Sequence, residues 1–75
     1  MMTNDELDAF QRKYRFKSTS NAAIEDRSAL SDWAYGRITL PALLASLAKH
    51  NGWKDAPEGE QFTEYIATLG YRKHE

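Results

Sequence analysis

"LPALLASLAKHNGW", residues 40–53, decides the fold. Leu40, Leu43, Leu44 and Leu47 recur at the spacing of one face of an α-helix, with Ala48 beside them, and not at the alternation of a strand. Ala42, Ala45, Ser46 and Lys49 fill the opposite side. Thr39 stands where an N-cap belongs, and Pro41 falls in the first turn, where its missing N–H costs nothing. At the other end, Gly52 fits the left-handed position just past a helix, and Trp53 follows where an apolar residue packs back on the last turn. The spacing predicts a helix over 40–50.

Downstream, "KDAPEGE" (54–60) reads as the start of another helix. Asp55 is placed to cap it, Pro57 sits in its first turn, and Glu58 and Glu60 suit the positive end of a helix. Phe62, Tyr65, Ile66 and Leu69 form its apolar stripe, and Gly70–Tyr71 repeat the glycine-then-aromatic ending. This helix is expected over 57–69. Upstream, "NAAIEDRSALSDWAYG" (21–36) is less regular. A continuous helix over 22–35 would put Asp26 on the inward face with Leu30 and Trp33, where an unpaired carboxylate is costly. The simpler reading is a break, with Asp26 capping a helix from Arg27 to Tyr35 and Gly36 ending it. If the helix runs through, Asp26 needs a partner, which could be Arg15, Arg37 or a residue on a binding partner.

"TNDE" (3–6) reads as a capping box for a first helix over about 4–16, with Leu7, Phe10 and Tyr14 on its apolar face. "STSN" (18–21) ends it, Ser18 as a turn residue and Ser20 as the next cap. No segment alternates with period two. The expectation is an all-α bundle of four short helices in a single domain spanning 1–75. Its core comprises Leu7, Phe10, Tyr14, Leu30, Trp33, Leu40, Leu43, Leu44, Leu47, Phe62, Ile66 and Leu69.

A chain of 75 residues has little interior, and with no cysteine it has neither disulfides nor thiolate metal sites. Helix packing or self-association must stabilise it, so a homodimer or a stable partner complex is expected. The absence of cysteine fits a reducing cytoplasm. A net charge of −1 gives no global attraction to nucleic acid or to anionic lipid. The N-terminus lacks the basic and apolar regions of a signal peptide, and no run approaches a membrane span.

The sequence argues against an enzyme, a cofactor, a metal and a small-molecule substrate. The glycines stand singly, and neither a phosphate loop nor HExxH occurs. His50 reads as a solvated residue at a helix end, where its charge is favourable. Ser18, Ser20 and Ser28 lack any signature of a nucleophile. The acidic groups Asp5/Glu6/Asp8 and Glu58/Glu60/Glu64 sit at helix starts for structural reasons.

Two interaction readings remain. Phe16, Ile24 and Tyr35 project away from the apolar faces, and exposed aromatics mark contact surfaces. With Asp26 they are candidates for binding a protein, self or other. Whether irregular helix ends tuck them in is left open. The alternative is a nucleic-acid surface built on "QRKYRFKS" (11–18), using Arg12, Lys13, Arg15 and Lys17, joined by Arg72 and Lys73. On a helix, Arg12 and Arg15 flank one side of the apolar stripe and Lys13 and Lys17 the other. They also stand at the helix C-terminus, where positive charge is favoured for structure alone. The expected function is therefore a small non-enzymatic interaction module, and nucleic-acid binding is the runner-up.

Overall fold

The computed structural model describes residues 1–17 and 20–74, with Ser20 and Ala22 described by their backbone alone. Four helices follow one another: α1 (Asn4–Lys13), α2 (Ser20–Ala34), α3 (Leu40–Asn51) and α4 (Gly59–Thr68). No strand occurs among the described residues, and the fold is all-α, as the spacing predicts. None of the helices is long and apolar enough to cross a membrane. The turn expected at Ser18 lies outside the described residues, and Ser20, expected as a cap, is the first residue of α2.

The first helix starts as its sequence dictates. The Thr3 hydroxyl accepts from the Glu6 N–H at 3.2 Å, and the Glu6 carboxylate accepts from the Thr3 N–H at 3.1 Å. It ends at Lys13, three residues earlier than the periodicity implies, because Tyr14 turns out of the helical region (φ −116°, ψ 64°). Groups at and just past the end of α3 hold the segment that follows. The Trp53 indole N–H donates to the Arg15 carbonyl at 2.6 Å, and the Lys17 N–H donates to Asn51 Oδ1 at 2.7 Å. A continuing helix would have used that Lys17 N–H internally.

The second helix corrects the expected break. It is continuous through Asp26, which is not a cap but a mid-helix residue only 5% exposed. Its end is as expected: Gly36 takes a left-handed φ of 78°, and the Arg37 N–H reaches back to the Asp32 carbonyl at 2.7 Å. In α3, the Thr39 hydroxyl accepts from the Ala42 N–H at 3.3 Å, Gly52 is left-handed, and the Trp53 N–H bonds the Ala48 carbonyl. Helix α4 starts two residues later than expected, at Gly59, and its N-cap Glu58 makes no side-chain cap bond. Asp55 is not a cap. It accepts from the Tyr14 hydroxyl at 3.2 Å and lies 4.0 Å from the Lys13 ammonium. Because α4 ends at Thr68, Leu69 leaves the core and is 52% exposed.

All four helices contribute to one core. Phe10 and Tyr14, Leu30 and Trp33, Leu43, Leu44 and Leu47, and Phe62, Tyr65 and Ile66 are buried together with Ala29. Leu7 and Leu40 are only partly buried against it. A row of five rings, Tyr65–Phe10–Tyr14–Trp53–Phe16, with centroids 4.8–5.4 Å apart, ties α4 to α1 and to the end of α3. Such pairs add about 0.5–1.5 kcal/mol each beyond the area they bury. The radius of gyration, 11.7 Å, is close to the ~11 Å of a compact chain of this length.

Burial raises the pKa of the Tyr65 phenol above its ordinary value. Below about pH 10 both folded and unfolded chains keep that proton. At higher pH the unfolded chain releases it first, so stability falls as pH rises through the folded value. Denaturation midpoints followed from pH 8 to 11 should decline less steeply in Tyr65→Phe than in the wild type. Parallel curves would show that Tyr65 does not drive the alkaline loss.

Candidate functional site

One polar cluster interrupts this apolar interior. Asp26 projects inward from the middle of α2 and meets the end of α3. The Asn51 amide nitrogen lies 3.1 and 3.2 Å from the two Asp26 oxygens and 2.9 Å from the Leu47 carbonyl. One amide hydrogen therefore serves Leu47, and the other is shared between the carboxylate oxygens. With the Lys17 N–H on Asn51 Oδ1, a single side chain joins the segment after α1, the middle of α2 and the last turn of α3. Neither arginine expected as the partner of Asp26 takes that place, for Arg37 pairs with Asp32 at 3.4 Å and Arg15 is exposed.

His50 is a second correction. It is not solvated but largely buried between two carboxylates of α2. Its Nε2 stands 3.5 Å from Glu25 Oε2, and its Nδ1 stands 3.4 Å from Asp26 Oδ1. The Nδ1 is buried, and its geometry makes no hydrogen bond. The Asp26 carboxylate has about four acceptor positions and, among the described residues, receives one shared amide hydrogen. It is an under-used acceptor inside the protein.

Asp26 also lines a cleft of about 260 Å³ between α2, the end of α4 and the segment after α1. Phe16, Ala23, Leu30, Ile66, Leu69 and Tyr71 give it apolar walls, and Lys17 and Arg27 line it with exposed cationic side chains. Leu69 and Tyr71 are 52% and 39% exposed. Among the described residues neither Lys17 nor Arg27 forms an ion pair.

The cleft brings together Phe16 and Asp26 of the four protein-interaction candidates. Phe16 is not a free exposed ring, for it is half-buried and packs edge-on against Trp53 at 5.4 Å. Ile24, 66% exposed, lies in a different groove, with Ile38, Ser46 and His50. Tyr35, 61% exposed, stacks on His74 at 4.6 Å, with the Arg37 guanidinium 5.5 Å from its ring.

The basic candidates do not form one strip. Because α1 stops at Lys13, the helical flanks assumed for Arg15 and Lys17 do not exist. Arg12 and Arg15 share a shallow groove with Asp8 and Gln11, and Lys17 lines the cleft. Lys13 lies beside Tyr14, whose hydroxyl, together with the Asp55 carboxylate, raises its pKa. Arg72 and Lys73 follow Tyr71 in a tail whose His74 N–H donates to the Ala34 carbonyl at 2.8 Å.

Asn51, His50, Leu69 and Tyr71 were not legible as parts of a site. The available signal was conditional: a continuous second helix left Asp26 without a partner. No group of three His, Asp or Glu side chains among the described residues is placed to hold a metal, and no serine, threonine or histidine is among the residues that line the cleft. What the cleft offers is apolar area, one buried acceptor and two cations. No family model, no curated protein and no solved structure matches this chain.

Proposed function

We propose that this chain is a small non-enzymatic protein-interaction module whose contact surface is the cleft between α2 and the end of α4. One observation carries the reading. Leu69 and Tyr71 hold large apolar surface in water at the mouth of an apolar recess, in a protein whose remaining leucines are buried or half-buried. Clustered exposed apolar side chains beside a concavity are the usual form of a contact surface, whereas scattered ones are not. The recess, at about 260 Å³, is smaller than the ~300–1,000 Å³ typical of small-molecule sites and is suited to one side chain of a partner.

The test is affinity capture from a native lysate with wild-type and Leu69→Glu baits, with thermal melts confirming that both are folded. A protein retained by the wild type and lost by the variant supports the reading. Sedimentation at micromolar concentration identifies whether that protein is a second copy of this chain. Proteins held equally by both baits, or retained material whose absorbance ratio at 260 and 280 nm marks it as nucleic acid, would overturn it.

A further inference from the structure

We infer that the occupant of this cleft is an acidic peptide segment that inserts one tryptophan or tyrosine. The inference rests on the cleft being a protein-binding surface and names the chemistry of the partner. Three features of the cleft converge on it.

The first is the shape and lining of the recess. Phe16, Leu30, Ile66, Leu69 and Tyr71 surround a volume that accommodates one large apolar side chain. Phe16 and Tyr71 add ring faces and edges, which favour an aromatic guest.

The second is the buried acceptor. Asp26 lines the recess, is 5% exposed, and receives only the shared Asn51 hydrogen among the described residues. A purely aliphatic anchor would cover this carboxylate without giving it a donor and would incur a desolvation penalty. An aromatic side chain with an indole N–H or a phenol O–H fills the same volume and supplies that donor. A carboxylate anchor is excluded by repulsion from Asp26 itself.

The third is the charge around the recess. Lys17 and Arg27 line it without ion-pair partners among the described residues, and Arg72 and Lys73 follow directly on Tyr71. Elsewhere acidic groups gather away from it: Glu64 lies beside the chain's first two residues, and Asp55 is beside Lys13. In a chain of net charge −1, this local excess of cations selects a partner whose negative charges flank the anchor. Single-stranded nucleic acid also carries negative charge and stackable rings. It is disfavoured because the basic residues are spread over separate surfaces.

The experiment is selection of a random displayed-peptide library on the folded protein. Enriched peptides are then synthesised with a fluorescent label and titrated by anisotropy, alongside labelled 12-nucleotide DNA and RNA of mixed sequence. The expected result is a consensus of one Trp or Tyr flanked by Asp and Glu. Replacing that Trp by Phe in the peptide should weaken binding about tenfold, the effect of one lost hydrogen bond to a charged acceptor. Arg27→Glu should weaken it by a similar factor and abolish most of its salt dependence. Arg27 is exposed, so this variant keeps its fold. Peptides that require Leu69 but carry an aliphatic anchor, or basic flanks, would overturn this inference and leave the protein-binding reading standing. Failure to enrich any peptide sensitive to Leu69→Glu would overturn both. Salt-sensitive binding of DNA or RNA that is lost in Arg27→Glu would replace the peptide with nucleic acid.

Discussion

Leu47→Ala should destabilise the protein by about 2–5 kcal/mol. Leu47 is fully buried in α3, at the centre of the shared core. Removing its branched end forfeits transfer energy and leaves a cavity that short helices pinned by their caps close only in part. A domain of this length is stabilised by roughly 4–11 kcal/mol in total, so the change removes a large fraction of it. Urea denaturation measures the loss, and an unchanged midpoint would show that α3 is not the central element. Leu69→Ala is the control. Leu69 is half-exposed, and its truncation should shift stability by no more than about 0.5 kcal/mol.

The second large effect is expected at a polar position. Asn51→Ala removes the only amide that, among the described residues, donates to the Asp26 carboxylate, and with it the acceptor of the Lys17 N–H. The carboxylate stays buried without its donor, which costs about 3 kcal/mol, more than the bond itself contributes net. The penalty belongs to the stranded charge and not to the missing amide. Asp26→Ala placed in the Asn51→Ala background should therefore restore stability, not lower it further. A double-mutant cycle should give a coupling of at least about 1 kcal/mol. Additive losses would show that Asp26 is compensated by something other than Asn51, with His50 the nearest alternative.

These two positions differ in how far the sequence reveals them. Leu47 is legible because periodicity, the Thr39 cap and the Gly52 stop agree within one segment, and local agreement is what a sequence displays most clearly. Asp26 is misread for the converse reason. Its partner lies 25 residues away, and nothing local distinguishes a capping Asp from a buried one. The same blindness affects Asp55, which has the look of an N-cap but serves the Tyr14 hydroxyl from across the fold. It affects the end of α1 too: no glycine or proline stands in residues 14–17 to stop the helix, while Trp53 and Asn51 capture the backbone of residues 15–17. Leu69 matches the α4 stripe by spacing, yet the helix ends one residue before it. The cleft collects walls from three separate stretches, so none of its members carries a local signature.

The junction at Asn51 also bears on how this sequence can change over descent. Lys17 contributes only its main-chain N–H to that junction, which any residue other than proline supplies. Position 17 is therefore free to vary there. Positions 26 and 51 are bound to each other through side-chain atoms: a neutral residue at 26 relieves the need for an amide at 51, while an apolar residue at 51 is tolerable only after the acid has gone. A lineage leaving the acid–amide arrangement must change position 26 first, and one entering it must gain the amide at 51 first, so among relatives of this chain an acid at 26 with an apolar residue at 51 should be the missing combination.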